Sequence, residues 1–216
     1  MVEGCGMIGL LGSHRCGKTT LAKLYAEKAG IKFVETSVSA IFRDLGYDAS
    51  VTYDFETRLT IQEEVLKRVD AIYAKHAGTD FITDRTPLDM AAYLLADAIG
   101  DRVPQDCQVR VAQYVNNCFE STNKRFGLVL LVQPGIPLVH EEGKAAMNVA
   151  YIEHLNSLMF GLSVDERLTS HNYYMPRHVL DLDMRLQALT ASIERSKGRV
   201  NAEFADANRT GRILIH

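Results

Sequence analysis

The sequence predicts an α/β fold: a five-stranded parallel sheet with helices on both faces. Three observations predict it. Short apolar runs of strand length alternate along the chain with longer segments of helical spacing. The run LVLLVQP, Leu128 to Pro134, is continuous in its apolar character, as a strand buried on both faces of a parallel sheet is. The stretch GSHRCGKTTL, Gly12 to Leu21, follows one apolar run and opens a helical segment, with Lys-Thr directly after its second glycine.

The elements follow in order. MIGLL, Met7 to Leu11, is the first strand, and Thr19 to Gly30 a helix with Leu21, Leu24 and Tyr25 stepping along it. IKFVETS, Ile31 to Ser37, reads as the second strand, and SVSAIFRDLGYD as a short helix ending near Gly46. An amphipathic helix spans Phe55 to Ala77, TDFITDR is the third strand, and helices are expected over Pro87 to Ile99 and Pro104 to Arg125. After the fourth strand, LVLLVQP, come a helix from about Ala145 to Leu162, a fifth strand HNYYMP, His171 to Pro176, and a helix from Leu180 to Arg195. The tail from Asn201 carries no assignable pattern. No repeat, low-complexity tract or linker divides the chain, so residues 1–216 are expected to form one domain.

GxxxxGK[ST] between a strand and a helix is the P-loop pattern. Gly12 and Gly17 let the backbone curl so that successive N–H groups point inward, and the helix start adds its positive dipole end. Ser13, His14, Arg15, Cys16 and Thr20 complete the cradle. Lys18 is expected to reach the β- and γ-phosphates of a nucleoside triphosphate and the Thr19 hydroxyl to ligate magnesium. Cys16 receives no catalytic role.

At 216 residues, 47% apolar and 24% charged, the chain is ordinary for a soluble globular protein and long enough for one sizeable core. Its net charge of −3 excludes a broadly basic surface but not a local basic groove. The four cysteines Cys5, Cys16, Cys107 and Cys118 show no CxxC spacing, the histidines no metal-ligand spacing, and no apolar run approaches a membrane span. An acid precedes the first apolar run where a secretory signal has a basic flank; the expectation is a reduced, cytoplasmic setting and no membrane partner.

Ligands of such sheets gather outside the carboxyl ends of the strands. The second strand delivers Glu35, Thr36 and Ser37, the third Asp84 and Arg85, the fourth Gln133 and Pro134, the fifth Pro176 and Arg177. Acidic residues at two exits beside a P-loop point to phosphoryl transfer, which needs magnesium, cations on the equatorial oxygens and a group that orients or deprotonates the acceptor hydroxyl. Asp84 is a candidate for holding magnesium or for acting as the base, Arg85 for pairing with a phosphate, and Glu35 is the other candidate base. Of the two assignments, Asp84 nearer magnesium and Glu35 nearer the acceptor is the expected one. The charged cluster HEEGK between a buried strand and a helix suggests a mobile lid over about residues 136–147, with Lys144 in it; Lys144 and Arg177 complete the expected nucleotide-binding set.

GxxxxGKTTLA, then VxE ending the second strand, then DRTPLD closing the third, resembles the small P-loop kinases of nucleosides and nucleotides, especially the ribosylnicotinamide-kinase-like group and its phage-encoded relatives. That group places a glutamate after the second strand, a DRT-type triplet after the third and a lid of the form IP…DG…R after the fourth, to which Glu35, Asp84-Arg85-Thr86, and Ile136-Pro137 with Glu142-Gly143-Lys144 correspond. No arginine follows Glu35 in ETSVSA as one often does in the riboside kinases, and Lys144 stands where the lid has arginine. The resemblance implies a nucleotide-kinase-like fold, ATP and Mg2+ as cofactors, and transfer of a γ-phosphate to a nucleoside or deoxynucleoside monophosphate. It also implies that Arg58 and Gln62, which share a helix face, read the acceptor base; a solvated helix face is the alternative. Phage relatives that phosphorylate a 5-hydroxymethylpyrimidine, such as 5-hydroxymethyluridine, within DNA supply a second expectation, placed in the host cytoplasm. For it a basic path is available in Lys124, Arg125, Arg195, Lys197, Arg199, Arg209 and Arg212. A P-loop ATPase or switch is the third, although no apolar strand ends in a DE pair and no NKxD motif appears.

Overall fold

The structure, a computed structural model, describes residues 6–48, 51–100, 103–139 and 147–210. Five strands, β1 (Met7–Leu11), β2 (Lys32–Phe33), β3 (Phe81–Thr83), β4 (Phe126–Val132) and β5 (His171–Met175), form one sheet in the order β2-β3-β1-β4-β5. Every pairing is parallel. The helices are α1 (Lys18–Ala29), α2 (Val38–Asp44), α3 (Phe55–Ala74), α4 (Pro87–Asp97), α5 (Gln108–Arg125), α6 (Val149–Ser163) and α7 (Leu182–Thr210).

Alternation along β4 sets the layers. Side chains of successive strand residues point to opposite faces, and Val129 and Leu131 pack with α3 to α6 while Leu128, Leu130 and Val132 pack with α1 and α7. The larger core contains Leu59, Val65, Val69 and Tyr73 of α3 with Leu88, Ala91 and Leu94 of α4. The smaller holds Leu21, Ala22 and Ala26 of α1 against Leu186, Leu189 and Ile193 of α7. Both faces of the sheet are thereby covered, which is why β4 tolerates no polar residue.

The boundaries differ from expectation in instructive places. Strand 2 shrinks to two residues because it pairs only with β3, itself three residues long, so Glu35, Thr36 and Ser37 are released into the loop above the sheet. Pro104 begins a single 3-10 turn over Gln105–Cys107 before α5 starts at Gln108. Helix α6 begins at Val149, capped by Asn148, whose Oδ1 accepts from the Tyr151 N–H at 3.0 Å. Helix α7 runs past the expected end at Arg195 to Thr210, since no proline follows to stop it. Of the expected lid, residues 140–146, Lys144 among them, lie outside the described residues.

Among the described residues no helix is long and apolar enough to cross a membrane. Cys16, Cys107 and Cys118 are free and buried.

Candidate active site

The P-loop fills the step from β1 to α1. A Cβ on Gly12 would stand 2.6 Å from the Val132 carbonyl oxygen, and Gly17 has φ 78°, so both glycines are required by geometry. Arg15, with φ 60°, is the only non-glycine at positive φ among the described residues, a strained backbone of the kind that functional loops hold. Lys18 is buried, and its Nζ donates to the carbonyl oxygens of Gly12 at 2.6 Å and Ser13 at 2.8 Å. The loop is braced from outside: Arg185 of α7, itself buried, donates to the Cys16 carbonyl at 2.6 Å, and Cys16 Sγ donates to the Ser13 carbonyl at 3.0 Å.

Because β3 lies directly beside β1, its exit meets the start of α1, and the Thr19 hydroxyl donates to Asp84 Oδ2. A hydroxyl and a carboxylate in contact at the mouth of a P-loop suit Mg2+, which takes few protein ligands and completes its octahedron with phosphate and water oxygens. Among the described residues no group of three or more His, Cys, Asp or Glu side chains forms a metal cage. Thr20 is exposed one residue further along α1.

Asp89 was not singled out from the sequence. It is fully buried, and its carboxylate accepts from the Gly12 N–H at 3.3 Å, the Thr86 N–H at 2.7 Å and the Thr86 hydroxyl at 2.9 Å. Burial raises its pKa, against the pull of the Lys18 and Arg85 cations. The T-x-x-D spacing of a capping box in DRTPLD was the available signal; that the same carboxylate also reaches the P-loop was not readable. Tyr73, buried at the end of α3, donates to the Arg85 carbonyl at 2.8 Å and fixes the other side of this triplet.

Beside the P-loop lies a cavity of about 390 Å³ that brings together Arg58, Gln62 and Arg85. Its walls also include His14, Val38, Phe42, Met90, Tyr93, Asn148 and Tyr151. The cations are not idle: Arg58 Nε pairs with Asp97 at 3.0 Å, and Arg85 stands 3.9 Å from Asp89 with its guanidinium 5.5 Å from the centre of the Tyr93 ring. Gln62 is buried, its Oε1 3.5 Å from Tyr114 Oη. Burial pushes Tyr151 up to about 12, so it stays neutral. Glu35 is exposed in the loop after β2 and is not among the lining residues, though Val38, the first residue of α2, is.

A second cavity, of about 500 Å³, is lined by Arg15, Ile136, Leu138, Arg177, His178 and Leu180 among others. Arg177 is held by Glu153 in a bidentate pair at 2.5 and 2.6 Å, and Arg15 donates to the Val139 carbonyl at 2.8 Å. His14 and Arg15, neighbours in the loop, thus face different cavities with the phosphate cradle between them.

The basic residues noted for a polymeric acceptor lie elsewhere. Lys124 and Arg125 end α5 where β4 begins, at the pole of the sheet opposite the P-loop, and Arg125 is paired with Asp70 at 2.7 Å. Arg195, Lys197 and Arg199 flank Ser196, whose hydroxyl meets His171 at the start of β5, the same far pole. The Arg209 side chain and Arg212 lie outside what is described.

Sheet order, P-loop and flanking helices define an α/β P-loop NTPase fold. Residues 7–144 match the family described as AAA domain, and the chain belongs to that family. Its fold is similar to deoxyadenosine kinase from M. mycoides with bound dATP (TM-score 0.63, 16% identity, 87% of this chain and 99% of that one). It is similar also to thymidylate kinase from Candida albicans (TM-score 0.62, 16% identity, 90% and 93%). The NadR protein in complex with NR matches at TM-score 0.63 and 14% identity, over 89% of this chain and 52% of that one. No curated protein matches the sequence.

Proposed function

We propose that the protein is an ATP- and magnesium-dependent kinase that transfers a γ-phosphate to a nucleoside or deoxynucleoside monophosphate. The observation that carries this reading is the pair of cavities flanking one phosphate cradle, entered by the consecutive loop residues His14 and Arg15. An ATPase or switch needs a donor site; a built second cavity with an amide and a guanidinium in its wall is what an acceptor needs. The solved structures of similar fold, a deoxyadenosine kinase and a thymidylate kinase, agree with this reading.

In it, the Gly12–Thr20 loop binds the triphosphate, Lys18 neutralises its β- and γ-oxygens, and Arg15 and Arg177 border the donor side; Lys144 keeps its expected donor role, outside the described residues. Thr19 and Asp84 would hold Mg2+, which would supply charge neutralisation on the transferring group. Gln62 and Arg58 orient the acceptor, Arg85 faces its reacting end, and Glu35 takes the proton of the acceptor hydroxyl. Arg58 is already paired with Asp97 and Arg85 stands beside Asp89, so an uncharged nucleoside fits without further cations, and we place it ahead of the monophosphate.

Labelled transfer to a panel of nucleosides, deoxynucleoside monophosphates and DNA containing hydroxymethylated pyrimidines, at two salt concentrations, tests the reading. Transfer to nucleosides with little salt dependence is expected. Transfer only to the modified DNA, weakening steeply with salt through counterion release, would replace it by the phage-type DNA kinase. Phosphate release with all acceptors inert would leave an ATPase.

Glu35 and Asp84 separate in a magnesium titration. Asp84→Asn is expected to shift the magnesium requirement upward; Glu35→Gln is expected to cut kcat by about 10²-fold with the requirement unchanged, the usual size of a general-base effect. A shift seen only for Glu35→Gln reverses the two roles.

A further inference from the structure

By position in the chain His14 belongs to the phosphate cradle, but its side chain does not face the donor cavity. Its ring lines the other one, with Nδ1 3.2 Å from the Tyr93 hydroxyl and its centroid 5.9 Å from that of Tyr151 and 6.5 Å from that of Tyr93. The two tyrosine rings are 6.4 Å apart, closing a three-ring cluster drawn from the P-loop, α4 and α6. Phe42 of α2 adds a fourth aromatic surface to the same cavity.

We propose that His14 is an acceptor-specificity residue: with Tyr93 and Tyr151 it forms the wall on which the planar ring of the acceptor packs. The inference rests on the kinase reading above and goes beyond it by moving this loop side chain from donor to acceptor. Its backbone N–H stays part of the cradle whatever the side chain, so the two contributions are separable by substitution. The Tyr93 hydroxyl fixes the plane of the imidazole, and Tyr151, in the first turn of α6 next to the Asn148 cap, ties the wall to the start of that helix. Stacking of a base on an aromatic ring is strong enough to be read kinetically.

The test measures KM for ATP and for each nucleoside, with kcat, in the wild-type protein, His14→Ala, His14→Phe and Tyr93→Phe. His14→Ala is expected to raise the acceptor KM about tenfold, a stacking-sized loss, with the ATP KM changing by less than about twofold. It is also expected to change the ratio of kcat/KM between purine and pyrimidine nucleosides, because the width of the slot changes. His14→Phe, which keeps a flat ring, is expected to restore most of the acceptor KM, and Tyr93→Phe to give a smaller rise than His14→Ala. An acceptor KM unchanged in His14→Ala, or acceptor and ATP KM rising together as a distorted loop would make them, overturns the inference and leaves the kinase reading standing. Failure of the wild-type protein to transfer phosphate to any nucleoside or nucleotide overturns that reading and the inference with it.

Discussion

Lys18→Ala is expected to reduce phosphoryl transfer by at least about 10²-fold, the effect of removing several kcal/mol of transition-state stabilisation from a phosphate clamp. Lys18 is the buried cation of the cradle, already turned toward the loop by its bonds to the Gly12 and Ser13 carbonyls. Its loss deprives the γ-oxygens of their point charge and leaves these carbonyls without that donor. Lys18→Arg is expected to recover little, because a planar fork does not occupy the space of a compact ammonium between the two carbonyls. Single-turnover transfer from labelled ATP reads the rate, and thermal unfolding of the same variant shows that it is folded. Transfer near the wild-type rate would refute the role given to the loop.

Asp89→Ala is expected to cost about 3 kcal/mol of stability, since it strips the acceptor from buried donors and leaves the buried Lys18 and the half-buried Arg85 short of a counter-charge. For a chain of this size that lowers the melting temperature by about 10 °C. Three donors lose their partner at once: the Gly12 and Thr86 N–H groups and the Thr86 hydroxyl. Asp89→Asn keeps an oxygen for Thr86 and should lose less stability, while still loosening Gly12 and therefore the cradle. Calorimetry on both variants checks the order. Equal melting temperatures for wild type and Asp89→Ala would mean that the carboxylate is not the tie between P-loop and α4 described above.

The P-loop was legible because everything that makes it is local. A strand, two glycines, Lys-Thr and a helix lie within some two dozen residues, so the pattern is carried by neighbouring positions, although distant groups, Asp89 and Arg185, brace the folded loop. The parallel sheet was legible from the apolar continuity of β4 and the alternation of element types. The meeting of Thr19 with Asp84 follows from the strand order, which sets β3 beside β1. The i, i+4 spacing of Arg58 and Gln62 likewise put them on one face, and the cavity takes up both.

Other features had no local mark. Tyr93 and Tyr151 carry the spacing of ordinary core residues, and only the packing of α4 against α6 brings their rings to His14. The partner of Arg58 is Asp97, 39 residues away, and the carboxylate that reaches Gly12 is 77 residues from it. The length of β2 depended on its pairing: only Lys32 and Phe33 register against Phe81 and Ile82 of β3, and Glu35 is left in the loop rather than in the sheet. By itself the sequence determined the elements, the cradle and the residues at the strand exits, because backbone dihedrals and periodic burial are set over a few residues. Only the tertiary structure decided which cations are neutralised, which side of the cradle His14 and Arg15 each face, and which rings close the acceptor cavity, because those depend on side chains brought together by packing across long stretches of chain.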